Sequence, residues 1–298
     1  MAVSQSASDK DETRQSAPFA ASHSLAALLT LGRPLVMGIL NVTPDSFSDG
    51  GQFFDPAHAI THAGEMAEQG ADILDIGAES TRPYGNARPV SAEDELARLK
   101  PVLPAVAKLG LPLSIDTVKA KVAEWALDYG ASIVNDVWGL QYDPGMAALV
   151  AKRGVPVVAM HNRETVDESI DIVADVIDFF ARTLEIASQA GIPREMIVLD
   201  PGIGFGKTAT QGYELVRRLG ELKTALGLPV LLGVSRKRLI GAATGRGVPA
   251  DRMAGSLAAG VYGAMHGADI VRVHDVAAHV DAFKVLAAIE GRTIGNAR

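Results

Sequence analysis

The sequence predicts a single-domain α/β protein folded as a (β/α)8 TIM barrel, on three observations. Eight short apolar runs alternate with segments of helical spacing. Several runs are near-continuous in Val, Ile and Leu, the pattern of parallel strands buried on both faces. The length, 298 residues, accommodates one barrel of roughly 250 residues plus a tail. A doubly wound open sheet alternates in the same way. The count of eight, which closes a ring, and the length favour the barrel.

In order, the runs are LVMGIL (35–40), DILDI (72–76), LPLSI (111–115), SIV (132–134), VPVVAM (155–160), MIVL (196–199), LPVLLGV (228–234) and DIVRV (269–273). Helical spacing covers AHAITHAGEMAEQ (57–69), SAEDELARLKPVLPAVAKL (91–109) and VKAKVAEWALDY (118–129), among others. Ser91 stands as an N-cap with acids in the turn behind it. Five helical segments are expected to end at Gly70, Gly110, Gly130, Gly191 and Gly227 before the next strand. Residues 1–20 are polar, Ser-rich and aperiodic, and are expected to form a disordered leader to one domain over 24–295. The connections 41–56 and 77–91 are long and rich in Gly, Pro and Ser. Loops of that kind usually carry function.

Composition removes several functions. The 28 Lys+Arg against 35 Asp+Glu give a net charge of −7, which argues against a nucleic-acid or anionic-membrane partner. Zero cysteines exclude disulfides, thiolate zinc sites, iron–sulfur clusters and cysteine nucleophiles. No apolar run approaches the ~18 residues of a membrane span, and the first twenty residues lack a signal-peptide core. The expectation is a soluble, cytoplasmic protein.

Polar residues gather where the runs end, and barrels build their active sites at the carboxyl ends of strands. They are Asn41, Asp75, Asp116, Asn135 with Asp136, His161, Asp200, then Ser235, Arg236 and Lys237, and last Arg272 with His274. One strand-end Asp or Asn is usually a cap; all eight strands ending so is not. The set divides into two poles. Asp75, Asp116, Asn135 and Asp200 suit a flat heterocycle with N–H donors, or a developing positive charge. Arg82, Lys237, Arg272 and His274 suit a phosphate or carboxylate. The plainer alternative is that these charges pair with one another as structural salt bridges.

Two motifs mislead. GIGFGKT (202–208) resembles a phosphate loop, but Pro201 stands where the first Gly of a Walker A belongs, and Lys207 replaces the last Gly of a dinucleotide fingerprint. It reads better as a flexible segment whose glycines let the backbone approach a planar ligand, with Phe205 offering a ring face. The seven histidines include no H-E-x-x-H motif, which argues against zinc. A hard divalent ion on oxygen ligands stays open.

The blocks GILNVTPDSFSDGG (38–51), DILDIGAESTRP (72–83), SIDT (114–117), ND (135–136), MH (160–161), DPGIGFGK (200–207), SRK (235–237) and RVHD (272–275) closely resemble those of the dihydropteroate synthases, in the same order. The resemblance implies a transferase of folate biosynthesis. Its members join 6-hydroxymethyl-7,8-dihydropterin diphosphate to 4-aminobenzoate, giving 7,8-dihydropteroate and diphosphate. It implies Mg2+ associated with Asn41. It assigns Asp116, Asn135, Asp200 and Lys237 to the pterin, and Thr81, Arg272 and His274 to the diphosphate; the strand-end reading adds Asp75 to the pterin set and Asn41, with its ion, to the diphosphate set. Phe47, Arg82, Pro83 and Phe205 fall to the aminobenzoate, and Asp116, Lys237, Arg272 and His274 form the expected catalytic set. A homodimer through outer helices and competition by sulfonamides are also implied. Two departures stand out: Asn162-Arg163 after MH, and Arg238 after SRK, where some relatives have Ser.

The chemistry displaces diphosphate from an allylic-type CH2 by an amine already neutral at pH 7, so no strong base is needed before attack. An SN1-like course is expected, with Asp116 stabilising a cationic pterin. Asp75 either touches substrate or orients its neighbours. The loops carrying Phe47, Arg82 and Pro83 are expected to close only after pterin diphosphate binds. Two other functions are weighed. A methyltetrahydrofolate-corrinoid methyltransferase has no use for the diphosphate and aminobenzoate residues, and a catalytically silent pterin-binding paralogue has no need of an intact Asp116, Lys237 and Arg272.

Overall fold

The computed structural model describes residues 24–43, 55–79 and 90–292. The expected leader 1–20, and Phe47, Thr81, Arg82 and Pro83 with it, lie outside the described residues. The first half runs α1 (Leu25–Leu29), β1 (Leu35–Asn41), α2 (Pro56–Glu68), β2 (Ile73–Gly77), α3 (Ala92–Leu99), α4 (Leu103–Val106), β3 (Leu113–Asp116), α5 (Ala120–Asp128), β4 (Ile133–Asp136) and α6 (Pro144–Arg153). The second runs β5 (Val157–Met160), α7 (Ile172–Ala190), β6 (Ile197–Asp200), α8 (Ala209–Arg217), α9 (Leu219–Leu226), β7 (Leu231–Leu232), α10 (Arg238–Thr244), α11 (Met253–Met265), β8 (Ile270–Val273) and α12 (Val276–Ile289).

All neighbouring strands are parallel, in the order β6-β5-β4-β3-β2-β1-β8-β7. The bridge Leu199 to Val230 joins the two ends, with Leu199 N donating to Pro229 O at 2.9 Å. Eight strands with helices outside them make the expected (β/α)8 TIM barrel.

Two elements differ from expectation. The helical stretch 91–109 breaks after Leu99 into α3, α4 and a short 3-10 turn, because Pro101 offers no N–H and its ring crowds the carbonyl one turn back. The seventh strand shrinks to two residues. Pro229 has no N–H for the ladder, and the N–H of Val230 goes to Asp269 Oδ2 at 2.8 Å instead. The five expected glycine stops all have left-handed φ, from 62° at Gly227 to 115° at Gly130.

Alternation along the strands separates two cores. Leu35, Met37, Ile73, Ile133, Val158, Val198, Leu231 and Ile270 fill the barrel, closed below by Leu25 and Leu28 of α1. The residues between them, such as Val36, Leu74, Val134, Val157, Ile197 and Val271, pack outward against the helices. Two steps beyond the inner layer the same parity brings Asp75, Asn135, Asp200 and Arg272 inside.

Candidate active site

A cavity of about 1100 Å³ opens at the carboxyl ends of the strands. Asn41, Asp116, Asn135, Asp200, Lys237, Arg272 and His274 all line it, together with Phe205. Sequence reasoning placed these residues at one mouth, and here they meet.

The two poles interlock rather than stand apart. Arg272 Nε donates to Asp75 Oδ2 at 2.6 Å, and its Nη2 donates to Asp116 Oδ2 at 2.9 Å. Asp75 Oδ2 also accepts from Asn135 Nδ2 at 3.1 Å. Asp75 is fully buried and is not among the residues lining the cavity. Of the two readings left open for it, the geometry favours orientation of Arg272 and Asn135 over contact with substrate. Arg272, assigned from sequence to the donor pole, is thus bonded into the acceptor pole, as the plainer salt-bridge reading expected of part of the set.

Asp116 keeps one oxygen uncommitted. Its Oδ1 is buried and has no hydrogen-bond partner among the described residues. Burial pushes its carboxyl up to about 7; Arg272 pulls against that rise and the nearby Asp75 adds to it. Asp200 is also raised by burial, with Lys237 opposing, and its Oδ1 accepts from Gly202 N at 2.8 Å. Burial lowers the Lys237 ammonium to about 8 against the pull of Asp200. Lys237 Nζ donates to Ile203 O at 2.6 Å and sits 4.8 Å from the centre of the Phe205 ring. His274 is tied to Ser235 twice: its backbone N donates to Oγ at 3.1 Å, and Nδ1 lies 3.0 Å from the same atom.

Two strand-end residues, His161 and Asp136, do not enter the mouth. Met160 points inward, so His161 points outward: Nε2 lies 3.0 Å from Asp175 Oδ2 and the ring packs edge-on against Phe179. Burial holds its imidazole down to about 3. Asp136 follows Asn135 by the same parity and accepts from the backbone N of Trp138 and Leu140 at 2.9 and 2.8 Å. Arg236 lines the cavity but forks onto Asp275 at 3.1 and 2.5 Å.

The 202–206 segment, expected from its glycines to be flexible, forms a turn hydrogen-bonded from within by Lys207. Lys207 is buried beneath it, and its Nζ donates to Gly202 O, Phe205 O and His161 O. Burial lowers this ammonium to about 7, with Asp200 favouring the charged form. Glu79, which sequence reasoning passed over inside ESTRP, lines the cavity. Its Oε1 accepts from Val90 N at 3.0 Å and its Oε2 pairs with Lys119, which also holds the buried Glu95 at 2.9 Å.

No group of three His, Asp or Glu that could hold a metal occurs among the described residues. The half-buried amide of Asn41 on the cavity wall is a single neutral oxygen ligand. Among the described residues such a donor would hold Mg2+ only together with oxygen ligands from elsewhere, such as water or a bound diphosphate.

Residues 37–274 match the family model described as pterin binding enzyme. A dihydropteroate synthase of Bacillus subtilis (strain 168) is 47% identical over 252 residues, covering 84% of this chain and 87% of that protein. A solved dihydropteroate synthase of Xanthomonas albilineans with 4-aminobenzoic acid is 46% identical, with a TM-score of 0.83, covering 88% of this chain and 95% of that one. The Xanthomonas albilineans enzyme in complex with 7,8-dihydropteroate is 45% identical, with a TM-score of 0.80, covering 88% and 96%. No helix among the described residues is long and apolar enough to cross a membrane.

Proposed function

This chain belongs to the dihydropteroate synthase family of pterin-binding enzymes, and from that premise we propose how its barrel mouth joins dihydropterin diphosphate to 4-aminobenzoate. The reaction breaks the bond between the pterin CH2 carbon and the bridging oxygen, and the electron pair leaves with diphosphate. The amine lone pair then closes the new C–N bond, and the nitrogen sheds its proton to the departing diphosphate.

The observation that carries this reading is the state of Asp116. A buried carboxyl at the cavity wall with one oxygen on Arg272 and the other without a partner among the described residues is an oriented negative pole once ionised, above about pH 7. Such a pole favours a pterin that becomes cationic as diphosphate leaves, because it is already oriented and poorly shielded by water. Asp200 and Asn135 accept from and donate to the amino-pyrimidinone edge. Lys237, anchored on Ile203 O, presents its ammonium to pterin acceptor atoms. Arg272 and His274 receive the diphosphate end with Thr81. Phe47, Arg82, Pro83 and Phe205 form the aminobenzoate pocket, with Arg238 at its carboxylate side. Asn41 would hold Mg2+ together with diphosphate oxygens, and that ion supplies neutralisation of the leaving group's charge.

The course is SN1-like. The kinetic isotope effect at the reacting carbon tests it: a small primary carbon effect is expected, and a large one contradicts dissociation before attack. Aminobenzoate joins second, after the diphosphate-loaded pterin. Calorimetric titration checks the order, since tight aminobenzoate binding to the empty enzyme contradicts it. Sulfonamides, which share an aniline opposite a polar group, compete for the same pocket in an inhibition assay. The enzyme acts in the cytoplasm as a homodimer. The exposed apolar side chains of Tyr262, Met265, Val285 and Ile289 on α11 and α12 support a partner there. A monomer by sedimentation equilibrium would exclude the dimer.

A further inference from the structure

The turn after β6 is built around a side chain that the chemistry above does not use. Lys207 is 2% exposed. Its Nζ donates to Gly202 O at 2.8 Å, to Phe205 O at 2.9 Å and to His161 O at 3.3 Å. An ammonium is costly to bury unless its donors are satisfied, and here three backbone carbonyls take them. The turn wraps this tightly because Gly202, Gly204 and Gly206 all have left-handed φ, at 65°, 87° and 59°. A Cβ on Gly202 would overlap the carbonyl of His161, and one on Gly206 would overlap the backbone of Arg163.

The outer atoms of the same turn are what two active-site residues rest on. Ile203 O accepts from Lys237 Nζ at 2.6 Å, and the Phe205 ring lies 4.8 Å from that ammonium. Gly202 N donates to Asp200 Oδ1 at 2.8 Å. Ile203 lies between two residues whose carbonyls Lys207 holds, Gly202 and Phe205, with only Gly204 interposed on one side.

We propose that Lys207 is a positioning residue for the pterin site: its ammonium fixes the 202–205 backbone from within, and that backbone sets Lys237 and Asp200 in register for the pterin. The proposal rests on the reading that Lys237 and Asp200 hold the pterin. A side chain that cannot donate three ways leaves Ile203 O loosely placed, and Lys237 then loses its anchor. Pterin binding weakens while the aminobenzoate side and the chemical step are largely spared.

The test uses the full-length protein with Lys207→Met, Lys207→Gln, Lys237→Met and the Lys207→Met/Lys237→Met double variant. Steady-state constants are measured for each substrate, and circular dichroism checks folding. The expected result is a KM for pterin diphosphate raised about tenfold in Lys207→Met, with kcat and the aminobenzoate KM changed by less than about threefold. The double variant is expected to be no worse than Lys237→Met alone, because one effect passes through the other. Lys207→Gln, which keeps part of the donor set, is expected to fall between wild type and Lys207→Met, and it carries the test if the Met variant does not fold. A lowered melting temperature with both KM values unchanged would overturn the proposal, as would additive losses in the double variant. If Lys237→Met leaves pterin KM unchanged, the pterin-site reading itself fails, and the proposal fails with it.

Discussion

Arg272 Nε donates to Asp75 Oδ2 across 2.6 Å, and Asp75 has no face on the cavity. That bond sets the direction of the guanidinium, so that Nη2 reaches Asp116 at 2.9 Å. Removing the charge of Asp75 leaves Arg272 short of a buried partner. Asp75→Asn is therefore expected to lower kcat/KM for pterin diphosphate about a hundredfold and to cost about 3 kcal/mol of stability. Steady-state kinetics and urea unfolding check both, and kcat/KM within twofold of wild type would contradict the orienting role.

Asp116 is expected to matter more as charge develops than when substrate first binds. Asp116→Asn should lower kcat roughly a hundredfold or more while the dissociation constant for the pterin changes several-fold at most. Single-turnover rates and calorimetry separate the two. Equal losses in rate and affinity would make it an ordinary binding residue.

Those two carboxylates were legible in the sequence, but their division of labour was not. The apolar runs located all eight strands, and strand ends located the mouth. What a strand end does not state is direction, which the two-residue period decides. Counting two from Ile73, Ile133, Val198 and Ile270 reaches Asp75, Asn135, Asp200 and Arg272 inside the barrel. Counting one step further, from Asn135 or Met160, reaches Asp136 and His161 outside it. That parity was available in the runs and would have removed both from the mouth. Lys207 was harder to find, since its neighbours imitate a phosphate loop and the three carbonyls it holds come together only in the folded turn. Glu79 gave no signal apart from its motif.

The pH dependence follows first from two buried groups of the site, Asp116 and Lys237, and loss of the Lys207 ammonium as pH rises through about 7 steepens the alkaline limb. Asp116 is raised to about 7 and acts as the anion, so its contribution is gained as pH rises through that value. Lys237 is lowered to about 8 and acts as the cation, so its contribution is lost as pH rises through that value. The profile of kcat/KM for pterin diphosphate is expected to be a narrow bell with its maximum between the two. Asp116→Asn should flatten the acid limb, and an unchanged acid limb in that variant would assign it elsewhere.

Metal dependence should track Asn41. Excess chelator is expected to abolish turnover and added Mg2+ to restore it, because diphosphate leaves poorly with its charge uncompensated. Asn41→Ala should raise the Mg2+ concentration for half-maximal activity about tenfold. Titrating Mg2+ into both proteins checks this, and full activity in chelator would remove the ion from the reaction.

The most direct measurement is diphosphate release, followed with pterin diphosphate alone, with aminobenzoate alone, and with both. Release only when both are present, in step with 7,8-dihydropteroate formed, is expected of a dihydropteroate synthase working through this mouth. Release from pterin diphosphate alone at the full rate, or binding of both substrates with no release, would contradict it.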